Sequence, residues 1–130
     1  MTDIELINKA KSAMSFSYSP YSEFKVGAAL LCENSKVYTG ANIENSSFSA
    51  TNCAERTAFF KAISEGEKSF LKIAVVGGKG GKITDYCPPC GVCRQVMAEF
   101  CENDFEILLS NGKNIKKYTL EELLPLSFEM

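Results

Sequence analysis

Two short cysteine motifs, Cys53-Ala54-Glu55 and Pro89-Cys90-Gly91-Val92-Cys93, constrain this chain more than any other feature. Each stands where a helix is predicted to begin. After the first, Ala58, Phe59, Ala62 and Ile63 form an apolar stripe at helical spacing, with Asn52 as N-cap and Gly66 as stop signal. After the second, Val92, Val96, Met97 and Phe100 give the apolar face. Both helices follow strands or loops that would leave the same edge of a sheet, so their N-termini can converge on one point. Unpaired N–H groups and positive dipole ends favour negative charge there and lower a cysteine pKa.

The rest of the chain supplies that sheet. Ile4, Ile7, Ala10 and Met14 recur at helical spacing near the start. Residues 15–22 form a loop, 25–31 a strand, 33–36 a turn and 37–43 a returning strand, hence a hairpin. Residues 70–76 are apolar and β-branched, the pattern of a strand buried on both faces. The glycines of 77–81 read as a loop. Residues 105–109 form another strand, Asn111-Gly112 a turn, and 115–118 the strand pairing back. Thr119 to Glu122 is a capping-box pattern for a short last helix. This alternation predicts a central sheet with helices on its faces.

At 130 residues the chain is expected to form a single domain over 1–130. A net charge of −2 with scattered lysines gives no electrostatic case for nucleic acid. No apolar run is long enough to span a bilayer. The acidic, amphipathic residues 1–5 do not read as a leader, so the expected location is cytoplasmic.

Histidine is absent, which removes Ser-His-Asp and Cys-His catalysis and histidine ligation of a metal. Cysteine occurs six times, at 32, 53, 87, 90, 93 and 101. In a reducing compartment such cysteines read as metal ligands or core residues more readily than as disulfides. Zinc suits three thiolates from Cys53, Cys90 and Cys93, and three protein ligands leave a fourth position open, the mark of a catalytic site. Glu55, two residues after Cys53, cannot ligate the same ion without strain. It is placed instead to move protons beside a water bound there.

Cys-x-Glu followed by Pro-Cys-x-x-Cys is the zinc nucleobase-deaminase signature. The chain resembles the cytidine deaminase family, in its small branch with three cysteine ligands. The resemblance runs through Phe24-Lys25-Val26-Gly27-Ala28, Asn42-Ile43-Glu44-Asn45, Cys53 to Ala58, Pro89 to Val96 and Leu124 to Phe128. It implies a three-layer α-β-α sandwich with a central mixed β-sheet. It implies one Zn2+ per subunit on Cys53, Cys90 and Cys93, with Glu55 as proton shuttle. Activated water would attack C4 of cytidine or deoxycytidine, releasing ammonia, as in pyrimidine salvage. Phe24 would pack on the pyrimidine, Asn42 and Glu44 would bind ribose hydroxyls, and the backbone around Ala54 would read the base edge. Phe128 would cover the base from a neighbouring subunit of a homotetramer. Arg56 is expected to donate hydrogen bonds to the thiolates. Family members usually carry tyrosine where this chain has Phe48, so any contact of that hydroxyl is missing.

Other readings remain at this level. A structural zinc knuckle would recruit Cys87 or Cys101 as fourth ligand. An iron–sulfur run would want cysteine where Met97 stands. Phe24 can be read as core, Asn42 and Glu44 as turn formers, and Phe128 as a tail residue. Cys32 and Cys101 read as core, and Cys87 as a neighbour of the metal. The substrate could also be another aminopyrimidine nucleoside, such as a nucleoside antibiotic.

Overall fold

The computed structural model describes residues 1–130. Helix α1 (Asp3–Ala13) is closed at its start by a capping box between Thr2 and Glu5. Strands β1 (Phe24–Cys32) and β2 (Val37–Ala41) form the expected hairpin. Helix α2 (Ala54–Ser64) and strand β3 (Phe70–Lys79) follow. Helix α3 (Gly91–Phe100) crosses to strand β4 (Glu106–Ser110). Strand β5 (Ile115–Thr119) and the single turn of α4 (Leu120–Leu123) complete the chain.

The five strands form one sheet in the order β2-β1-β3-β4-β5. Strands β3 and β4 pair parallel and every other pair is antiparallel, so the sheet is mixed. A parallel pair needs a crossover connection, and α3 is that connection. Alternation along β1 sends Ala28, Leu30 and Cys32 to one face and Ala29 and Leu31 to the other. On the first face they meet Ala58, Phe59 and Ala62 of α2, Met97 of α3 and Leu120 of α4. On the second they meet Leu6, Ile7 and Ala10 of α1. This is the α-β-α sandwich anticipated above, with β3 buried at its centre.

Several local expectations need correction. Ile4 is 63% exposed, and α1 buries Leu6, Ile7, Ala10 and Ala13 instead. The helix begins at Asp3, and the register set by its cap turns Ile4 outward. In α3 the inward line runs from Cys93 to Met97, which leaves Val92 and Phe100 exposed. The N-cap of α2 is Cys53, not Asn52, whose side chain donates to Thr57 Oγ1 at 3.1 Å. Gly77 and Gly78 belong to β3, paired with Val26 and Lys25; only the following glycines turn the chain.

Helix α2 lies close against β2 because residue 40 is glycine. A Cβ there would stand 2.5 Å from the Ala54 carbonyl oxygen and 2.6 Å from the Ala58 nitrogen. The absent side chain lets the start of α2, and with it Cys53, settle at the sheet edge.

Candidate active site

Cys53 and Cys90 are the N-cap residues of α2 and α3, and Cys93 lies in the first turn of α3. The two helix starts converge as anticipated. The Cys53 and Cys90 sulfurs are 3.8 Å apart, those of Cys90 and Cys93 3.5 Å, and all three lie within 4.8 Å of one another. Zinc–sulfur bonds of about 2.3 Å in a tetrahedron put the sulfurs about 3.8 Å apart, so this donor set fits one zinc ion.

No fourth histidine, cysteine or carboxylate joins the cluster. Cys101 sits at the far end of α3, about 15 Å along the axis from its start. Cys87 packs beside the site without joining it: a Cβ on Gly77 would meet Cys87 Sγ at 2.9 Å and the Phe24 ring at 3.0 Å. Burial, followed by the nearby Glu55 and Cys53 charges, pushes the Cys87 thiol up to about 12, the state of an inert neighbour. The knuckle reading loses its fourth ligand. Cys32 is buried in the core, and Cys101 packs against it.

Glu55 is only 4% exposed. Burial pushes its carboxyl up to about 7, backbone and Cys93 hydrogen bonds oppose the rise, and the Cys53 charge adds to it. A carboxyl poised near neutrality can both accept and deliver a proton. Cys53 is shifted the other way. A hydrogen bond from Cys93 and the Arg56 guanidinium outweigh burial and bring its thiol down to about 5. The Cys93 thiol is raised, because its proton is held by the Cys53 sulfur. Arg56 donates to Cys53 Sγ at 3.2 Å, and its Nε is buried without a partner.

The other sequence candidates fall into two groups. Asn42 is tied to the start of β1, and Glu44 to the loop preceding it. Asn42 donates to the Phe24 carbonyl at 2.8 Å and accepts from the Val26 N–H at 2.9 Å. Glu44 accepts from the Tyr21 and Ser22 N–H groups at 2.9 and 3.1 Å and from the Ser22 hydroxyl. Phe24 is partly exposed at the start of β1, next to Cys87. Ala54 is fully buried as the first residue of α2. Phe128, in contrast, is 69% exposed on the terminal tail, where only its carbonyl is fixed, by Gln95 Nε2 at 2.7 Å.

Sequence reading assigned no role to Ser22, Arg94 or Gln95. Arg94 donates to the carbonyls of Pro89 and Leu123 at 2.8 and 2.7 Å, bracing the segment that carries Cys90. Its position, directly after Cys93 and one turn into a helix that starts on a ligand, is the signal that marks it.

A family model described as the cytidine and deoxycytidylate deaminase zinc-binding region matches residues 1–108. The chain belongs to this family. A cytidine deaminase of Sporosarcina psychrophila is 52% identical over 128 residues, covering 97% of this chain and 91% of that protein. One of Halalkalibacterium halodurans is 51% identical over 124 residues, covering 95% and 91%. The crystal structure of cytidine deaminase from Burkholderia pseudomallei superposes with a TM-score of 0.91 at 43% identity, covering 98% of this chain and all of that one. Cytidine deaminases thus share both the sequence and the sandwich that brings Cys53, Cys90 and Cys93 together.

Proposed function

We propose that this chain is a zinc-dependent cytidine deaminase that hydrolyses the 4-amino group of cytidine and deoxycytidine, yielding uridine or deoxyuridine and ammonia, a reaction of pyrimidine salvage. The observation that carries this reading is three convergent sulfurs, with no fourth protein ligand, beside a buried carboxyl poised near neutrality.

Cys53, Cys90 and Cys93 would hold the metal. When bound there, zinc supplies Lewis-acid activation of water near neutral pH. Glu55 then does the proton work: it takes a proton from the attacking water and gives it to ring N3, then takes the proton left on the new C4 hydroxyl and gives it to the departing amine. Three thiolates outweigh the charge of one zinc ion by one, and this works against acidifying water. Arg56, with the two helix dipoles, offsets that excess.

The same reading assigns the substrate contacts. Phe24 offers a ring face beside Cys87, the backbone around Ala54 faces the base edge, and Asn42 and Glu44 receive the sugar. Phe128 is largely uncovered within its own chain and suits a neighbouring subunit's site. With Phe16 and Phe48 also largely exposed, this supports a homotetramer with shared sites. None of the six cysteines is in a disulfide, which suits a reducing cytoplasm. Residues 1–130 act as one domain in this reading, on a small nucleoside and not on a polynucleotide. No helix is long and apolar enough to cross a membrane.

The test is ammonia release from cytidine by the wild type and by Glu55→Gln. The wild type should release ammonia. The variant should keep its zinc and lose at least about a hundredfold in kcat. No release by the zinc-loaded wild type, or normal turnover by the variant, would refute the assignment.

A further inference from the structure

One hydroxyl in the loop before β1 touches two of the substrate candidates at once. Ser22 Oγ donates to Glu44 Oε2 and accepts the Phe24 N–H at 3.0 Å. The Phe24 carbonyl in turn accepts from Asn42 Nδ2 at 2.8 Å. Glu44, Ser22, Phe24 and Asn42 therefore form one continuous chain of hydrogen bonds, with Ser22 as the link between the carboxylate and the aromatic residue.

The carboxylate itself is nearly saturated. An ionised carboxylate has about four lone-pair sites, two on each oxygen. Glu44 Oε1 accepts both the Tyr21 and the Ser22 N–H, at 2.9 and 3.1 Å. Oε2 accepts the Ser22 hydroxyl. One site is left, on the oxygen that Ser22 holds. The backbone is bent to make this possible. Glu23 has φ of 60°, in the left-handed region, and folds the chain back so that the Phe24 N–H reaches the Ser22 hydroxyl. Non-glycine residues persist in that conformation where their surroundings over-determine it.

We propose that Ser22 is a positioning residue for sugar recognition: its hydroxyl aims the one free lone pair of Glu44 Oε2 at a single sugar hydroxyl while fixing the Phe24 backbone beside it. This rests on the reading of Glu44 and Phe24 as substrate contacts. Ser22 itself touches no reacting atom. Its removal should act on substrate binding and on discrimination between sugars, and leave the proton chemistry at Glu55 alone.

The experiment uses the zinc-loaded enzyme, with Ser22→Ala, Ser22→Thr and Glu44→Gln compared against wild type. Substrates are cytidine and the two analogues lacking its 2′- or its 3′-hydroxyl. In Ser22→Ala the KM for cytidine should rise about tenfold, the worth of one well-placed hydrogen bond. Its kcat should stay within about twofold and its zinc content should not change, the pattern of lost binding without lost transition-state stabilisation. The preference for cytidine over one of the two analogues should shrink by a similar factor. Ser22→Thr, which keeps the hydroxyl, should restore both values. An unchanged KM and preference in Ser22→Ala would overturn the proposal. So would a joint fall of kcat and zinc content that threonine does not reverse, the mark of a contact serving the fold alone. Glu44→Gln separates the two levels. If it raises KM while Ser22→Ala is silent, the site reading stands and the role of Ser22 falls. If Glu44→Gln is also silent, Glu44 is not a sugar ligand and both fall.

Discussion

The Arg56 guanidinium donates to the Cys53 sulfur across 3.2 Å, one helical turn away along the first turn of α2. This contact brings a positive charge to the most electron-rich part of the site. It helps hold Cys53 as a thiolate, the form that binds metal. It also leaves Arg56 Nε buried without a partner, a cost retained at a residue that serves the cluster.

Arg56→Gln should therefore weaken zinc retention. Outer groups that orient metal ligands are typically worth about 10–100-fold in metal affinity or activity. Competition with a chromogenic chelator would measure the change. Arg56→Lys keeps the charge without the planar fork and should recover only part of the loss. Zinc affinity and turnover both equal to wild type in Arg56→Gln would remove this role.

A second prediction concerns the opposite face of the sheet. Gly27 in β1 is where α1 comes closest. A Cβ at this position would lie 2.0 Å from the Ala10 carbonyl oxygen and 2.8 Å from the Met14 nitrogen. Both are backbone atoms, so the helix as a whole would have to move. Gly27→Ala should cost about 3 kcal/mol or more, at the upper end for overpacked cores. Gly91→Ala is the control, since nothing lies within 4 Å of its added Cβ. That variant should match wild type or gain up to about 1 kcal/mol from better helix propensity. Urea titration of the three proteins would rank them, and equal midpoints would contradict the close approach.

Acid should weaken one surface network in a predictable direction. Asp3, at the start of α1, pairs with Lys72 of β3 at 3.2 Å and Lys117 of β5 at 3.1 Å. Burial tends to raise its pKa, but hydrogen bonds from Lys117 and Lys72 together with their charges hold it below its ordinary 3.8. A carboxylate depressed in the folded state adds stability that is present above its unfolded pKa and lost as pH falls through the folded one. The groups are partly exposed, so the gain is at most about 1 kcal/mol. Asp3→Asn should be less stable than wild type by that amount at pH 7, and the gap should begin to shrink as pH falls below 3.8 and close once it has passed the lowered folded value. A gap that widens in acid would contradict the pairing.

The metal cluster was legible before any fold was known, because its information is local. Cys53 and the Cys90–Cys93 pair mark helix starts, and the spacing of Glu55 from Cys53 keeps it off the metal. The hairpin and the capping box at Thr119 were legible for the same reason, while the matching box at Thr2 went unread. The parallel pairing of β3 with β4 was not, since it depends on contacts across α3. Nor was the outward turn of Ile4 and Val92, because apolar spacing alone does not say which of two neighbouring stripes the sheet will cover. The loop chemistry was hidden most deeply. Asn42 and Glu44 were visible as polar residues near a turn, but their partners at residues 17–26 come within reach only once β1 and β2 have paired.

Arg94 and Gln95, adjacent in α3, should fail in different ways. Arg94 braces the Pro89 carbonyl, one residue before Cys90, against the Leu123 carbonyl at the end of α4. Gln95 reaches only the Phe128 carbonyl on the tail. Arg94→Leu strips two carbonyls of a charged donor and should cost about 2 kcal/mol of stability. It should also speed zinc loss, because the loop carrying Cys90 loses its brace. Gln95→Leu leaves that loop untouched. Its zinc content and unfolding midpoint should stay near wild type, while the tail loses its anchor and KM for cytidine rises, as it should in Phe128→Ala. Measuring zinc release, urea midpoint and KM on the three variants separates the two functions. If Gln95→Leu lost zinc as fast as Arg94→Leu, the tail and the metal loop would have to be one unit, and the division drawn from these hydrogen bonds would be wrong.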